Sequence, residues 1–177
     1  MSGKIFRIIA TGGLGDVLLG TPSFKALKKK YPDCKIILFC QDKERRDLFI
    51  NNPHVDMVRD VSFIHNPISF SLYFLKWGKF KRYAYGNLIP SFYHKKAQDI
   101  IADLFVVTLE DRKIQLFLTE DEEKKAKKAL SEYNNPIIIH ISSRFSKNQD
   151  WALDNWNRLV ASMPDYTFIQ LGLTHEH

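Results

Sequence analysis

The stretch at 6–33, FRIIATGGLGDVLLGTPSFKALKKKYPD, limits the choice of fold more than any other part of the chain. An apolar run enters three glycines, Gly12, Gly13 and Gly15. Asp16 follows, and a helical pattern begins at once. Glycine loses more conformational freedom on folding than any other residue. Three within four positions therefore predict a tight turn or a close approach to the backbone. The apolar run is continuous rather than alternating, as in strands buried on both faces of a parallel sheet.

The same alternation continues downstream. KIILFC (35–40) reads as a second strand and VDMVRDV (55–61) as a weaker third, with helices predicted at 17–30 and 43–51. Pro22 should kink or split the first helix, because its ring disrupts a helix interior, and YPD (31–33) ends it. Helical spacing returns at 92–105, followed by an expected strand KIQLFL (113–118). The charged helix 119–133 comes next, with Thr119 and Glu122 spaced as a capping box. After NNP (134–136) the alternation restarts: strand 137–142, helix 154–163, strand 166–173. The expected class is α/β, a Rossmann-like parallel sheet followed by the beginning of a second Rossmann-like domain. The expected boundaries are 1–133, with an insertion at 61–98 and a linker helix at 119–133, and 134–177 for the incomplete second domain.

With 45% hydrophobic and 26% charged residues, the 177-residue chain has the composition of a soluble globular protein. No apolar run approaches the roughly 18 residues of a membrane-spanning helix. The apolar start is too short for a signal peptide, so a cytoplasmic location is expected. Cys34 and Cys40 bracket the second strand. In an extended chain they lie roughly 20 Å apart, beyond disulfide reach, and are expected to be packed thiols.

The net charge of +6 is concentrated. Between 61 and 98 there is no Asp or Glu, while Lys76, Lys79, Lys81, Arg82, Lys95 and Lys96 supply the whole excess. Ten of the 23 aromatic residues fall in the same segment. Such interleaving suits single-stranded nucleic acid, an anionic membrane surface or a bulky acidic substrate. It equally suits a solvated basic face over an aromatic core.

The glycine loop lies between a first strand and a first helix, where the carboxyl ends of parallel strands form a ligand crevice. Two common loop motifs fail. A dinucleotide fingerprint starting at Gly13 needs glycine where Leu18 stands, and the Gly-Lys-Ser/Thr of a P-loop is absent. Asp16 reads either as a helix N-cap or as a catalytic carboxylate. His54, His65, His94 and His140 show no metal-ligand spacing, and Trp151 and Trp156 read as packing residues.

Four stretches together resemble glycosyltransferase family 9, best known for the ADP-heptose:lipopolysaccharide heptosyltransferases. They are GGLGDVLLGTPSFKALKKKYPD, NNPHVDMV, IIIHISSRFSKNQDWALDNWNRLV and FIQLGL, and they occur in the family's order. The resemblance implies a GT-B architecture, with the acceptor on the first domain and the nucleotide-sugar donor mainly on the second. It implies that Asp16 is the general base of an inverting sugar transfer, with Gly13 and Gly15 letting donor and acceptor approach. Ser142, Ser143, Arg144 and Lys147 would hold the leaving diphosphate in place of a metal, although the loop also reads as an ordinary polar connection. Two more residues than the family pattern separate Lys147 from Trp151.

The resemblance further implies no cofactor or metal, an ADP-sugar as donor, and a lipopolysaccharide or other anionic, lipid-linked saccharide as acceptor. Lys79, Lys81, Arg82, Lys95 and Lys96 would bind that acceptor. Peripheral contact with the inner face of the cytoplasmic membrane is expected, and nucleic acid is not. Family members continue past this point with acidic ribose-binding residues and a later Asp-Gly…His segment. The chain is thus expected to be a fragment, a truncated gene product or half of a split enzyme. Two other readings stay open: a non-catalytic remnant that binds a saccharide or anionic lipid-linked acceptor, and a nicotinamide-dependent oxidoreductase, against which Leu18 argues.

Overall fold

The computed structural model describes residues 3–60, 81–84, 94–141 and 150–172, and of 82–84 only the backbone path. It divides into two compact units, Met1–Leu118 and Thr119–His177.

The first unit contains β1 (Ile5–Thr11), α1 (Leu14–Leu18), α2 (Thr21–Lys30), β2 (Lys35–Cys40), α3 (Lys43–Asp47), β3 (Met57–Asp60), β4 (Lys81–Ala84) and α4 (Ala97–Phe105). Its strands form one parallel sheet in the order β3-β2-β1-β4. The chain moves from β1 to one side through β2 and β3, then returns to the other side for β4. That reversal makes the carboxyl ends of β1 and β4 a topological switch point, the usual place of a ligand crevice in such sheets, and there Thr11 pairs with Ala84 and Gly12 follows directly.

Both faces of the central strands are buried, as the continuous apolar runs predict. On one face Ile8, Ala10, Ile36 and Leu38 join Phe24 and Leu27 of α2 and Ile101 and Phe105 of α4 in a single core. Phe24 lies at its centre, edge-on to Phe49 at 6.1 Å and to Phe105 at 6.5 Å. On the opposite face Ile9, Ile37 and Phe39 are also buried. Cys34 and Cys40 are buried free thiols, and burial pushes Cys40 up to about 12.

The expected break at Pro22 takes the form of two helices. Proline occupies the first turn of α2, where its missing N–H goes unused in any case. Two expectations need correction. The helix at 43–51 ends at Asp47 and gives way to turns. The strand at 113–118 is not part of a sheet. The Gln115 N–H donates to Thr21 Oγ1 at 3.0 Å instead of to a neighbouring strand, and Ile114, Leu116 and Leu118 are 41%, 50% and 52% exposed. Conversely, KRYA forms β4 without any apolar alternation of its own, because pairing with β1 supplies its partners.

The second unit holds α5 (Glu120–Leu130), β5 (Pro136–Ile139), α6 (Leu153–Ser162) and β6 (Thr167–Gln170), with β5 and β6 paired in parallel. The capping box of α5 closes as predicted. Glu122 N donates to Thr119 Oγ1 at 3.2 Å, and Thr119 N donates to Glu122 Oε2 at 2.7 Å. None of this unit's described residues is buried. Among the described residues no helix is long and apolar enough to cross a membrane.

Candidate functional site

The crevice above β1 is built around the glycine turn. Gly12 has φ +124°, a conformation that side chains rarely adopt, and a Cβ there would lie 2.9 Å from Asp16 Oδ2. Glycine at this position is required both by the backbone and by the carboxylate folded against it. Gly15 differs, because a Cβ there would meet nothing within 4 Å. Its missing side chain leaves open space at the mouth of the crevice.

Asp16 is not the N-cap of α1. That position belongs to Gly13, and Asp16 stands three residues further on in the first turn. Its Oδ2 accepts the Gly13 N–H at 2.7 Å, which aims the half-buried carboxylate back over the turn. Among the described residues no hydrogen bond reaches Oδ1. One oxygen is thus fixed while the other is available to a hydroxyl at the crevice.

Two contributors escape a reading of the sequence. Arg45 Nε donates to the Gly12 carbonyl at 2.5 Å, and its guanidinium also pairs with Asp42, the N-cap of α3. The glycine turn is thereby tied to the third helix across 33 residues of chain. The Asp42–Arg45 spacing marks a helix start, but nothing local shows that Arg45 reaches Gly12. Thr11, the last residue of β1, buries a hydroxyl that has no hydrogen-bond partner among the described residues.

The remaining expected site residues are scattered or undescribed. Ser142, Ser143, Arg144, Lys147 and Lys79 lie outside the described residues, as does the side chain of Arg82. Lys81 opens β4 opposite Ile8, roughly 10 Å behind the crevice end of the strand at about 3.3 Å per residue. Its ammonium bonds the Leu104 carbonyl and lies over the Phe105 ring. Lys95 pairs with Asp103 at 2.6 Å, and that carboxylate raises its pKa. Lys96 is the N-cap residue of α4 and has no ion-pair partner among the described residues. Trp151 and Trp156 pack edge-on against each other at 5.1 Å. Among the described residues no three His, Cys, Asp or Glu side chains gather to hold a metal ion.

The architecture matches solved structures across almost the whole chain. The glycosyl transferase family 9 protein of Veillonella parvula DSM 2008 aligns with 99% of the chain at a TM-score of 0.73 and 15% identity. E. coli ADP-heptose lps heptosyltransferase II aligns with 98% of it at 0.65 and 14% identity. The chain has the fold of these glycosyltransferases. E. coli heptosyltransferase WaaC, solved with ADP, shares the glycosyltransferase fold at a TM-score of 0.58 over 97% of the chain, with 13% identity. The chain spans 65% and 66% of the length of the first two proteins. No protein-family model and no curated sequence matches it.

Proposed function

We propose that the chain belongs to an inverting glycosyltransferase that moves a heptose-like sugar from an ADP-sugar to an anionic, lipid-linked saccharide. The observation that carries this reading is the Asp16 carboxylate, tethered through one oxygen at the crevice above β1. The acceptor hydroxyl attacks the anomeric carbon and forms the new C–O bond. Its proton passes to Asp16 Oδ1, the bond from that carbon to the diphosphate oxygen breaks, and ADP departs. Attack from the face opposite the leaving group inverts the anomeric centre.

Open space beside Gly15 accommodates the reacting groups, and Arg45 holds the turn that carries the base. The charge on the departing diphosphate falls to Ser142, Ser143, Arg144 and Lys147, without a metal. In this reading the positive charge of the segment 61–98 draws the anionic acceptor, at the inner surface of the cytoplasmic membrane. Support comes from the fold and from the ADP bound by E. coli heptosyltransferase WaaC.

The test is ADP release from ADP-heptose in the presence of a lipopolysaccharide acceptor, with the product's anomeric configuration read by NMR. Inverted product supports the reading. Saccharide binding without transfer would reduce the chain to a binding protein, and oxidation of a nicotinamide cofactor would move it to another class.

A further inference from the structure

One peptide unit carries both hydrogen bonds that hold the glycine turn. Its carbonyl, that of Gly12, accepts from Arg45 Nε at 2.5 Å. Its N–H, that of Gly13, donates to Asp16 Oδ2 at 2.7 Å. Partial double-bond character keeps the atoms of a peptide unit in one plane, so a fixed carbonyl also fixes the direction of the N–H. Glycine stands on both sides of this peptide, and glycine restrains its own backbone least. The plane therefore depends on the groups bonded at its two ends.

Arg45 is itself held at two points. Asp42 Oδ1 accepts the Arg45 backbone N–H at 3.0 Å, and Asp42 Oδ2 pairs with the guanidinium. Ala10 pairs with Cys40 in the β1–β2 register, so Gly12 and Asp42 each stand two residues beyond the same rung of the sheet. That register brings the start of α3 beside the turn. The Arg45 side chain is only 21% exposed, where water screens it weakly. The bonds all run one way, from cation to carbonyl and from N–H to carboxylate, and hydrogen bonds in such a chain polarise one another.

We propose that Arg45 is a positioning residue for Asp16, acting through the Gly12–Gly13 peptide alone. By holding Oδ2 it sets where Oδ1 meets the acceptor hydroxyl, and it touches neither substrate. The inference rests on the reading of Asp16 as the base. Its loss therefore falls on the chemical step and not on substrate binding.

Two variants of the full chain test the relay. Arg45→Met removes the guanidinium but leaves the backbone N–H that Asp42 caps, and Arg45→Lys keeps a single donor. In Arg45→Met the Gly13 amide proton should move upfield and exchange faster with solvent, while the core amides of Ile36 and Leu38 keep their native exchange. Arg45→Lys should lie between. In transfer from ADP-heptose, Arg45→Met should lower kcat by roughly 10 to 10², with the donor KM unchanged. Added to Asp16→Asn it should cost nothing further, because the group it positions is already gone. An unmoved Gly13 amide, or equal acceleration of Gly13 and the core amides, would overturn the relay, and this readout needs no turnover. A raised donor KM, or losses that add in the double variant, would make Arg45 a substrate contact and overturn it too. Native turnover of Asp16→Asn would instead sink the base, whatever the Gly13 amide does.

Discussion

The two units of the chain share one sequence pattern and differ in what they bury. In Met1–Leu118 four parallel strands and two helices close a core in which Phe24, Leu27, Ile36 and Leu38 are fully buried. In Thr119–His177 two strands and two helices are described, and Ile138, Leu153, Val160 and Leu171 remain exposed. Alternating strand and helix is thus enough to specify elements but not a core. A strand buries both faces only when neighbouring strands and covering helices exist on each side. The stability of the chain, and the rigidity of any site on it, should therefore reside in the first unit.

Substitution by alanine at matched positions breaks or sharpens this contrast most strongly. Phe24→Ala should cost about 3–5 kcal/mol in equilibrium denaturation, the loss typical of a fully buried phenylalanine. Leu153→Ala, at a position 62% exposed in the second unit, should stay within about 0.5 kcal/mol. Comparable losses would mean that Leu153 is buried in solution, and the contrast would fail.

A smaller effect is expected at the turn that joins core to crevice. Gly12→Ala should cost about 1–3 kcal/mol, because alanine strains at this φ and its Cβ collides with Asp16. A silent Gly12→Ala would show that the turn is not held as described.

The smallest effect concerns acid stability. Burial alone would raise the pKa of Asp56, but the Lys28 ammonium and the Ile36 N–H more than reverse it, so the carboxyl titrates below its usual range. Such a group adds stability above its unfolded pKa, near 4, and loses it as pH falls through the lower folded value. Asp56→Asn should lower stability at pH 7 by about 1 kcal/mol or less, since the side chain is 36% exposed and water screens the pair. It should also flatten the stability profile below about pH 4. An unchanged acid limb would remove Asp56 from the account.

Features encoded by local pattern were legible in the sequence. The runs 4–10 and 35–40 became β1 and β2, Pro22 divided two helices, and Thr119 and Glu122 closed their capping box. Features that depend on distant partners were not. KRYA is a strand only because β1 lies beside it, and KIQLFL is not one because Thr21 takes its backbone donor. Arg45 reaches Gly12 only through the fold. Asp16 was visible as a candidate, but its place three residues past the cap depends on the positive φ of Gly12.

The central claim is that Asp16 takes a proton rather than only bracing a turn, and the turnover of Asp16→Asn tests it most directly. Asparagine retains an oxygen that can accept the Gly13 N–H, so the turn and the thermal unfolding should be preserved while the base is lost. Sugar transfer from ADP-heptose should then fall by roughly 10² to 10⁴, with donor binding unchanged. A variant that unfolds normally and transfers sugar at the native rate would contradict the claim.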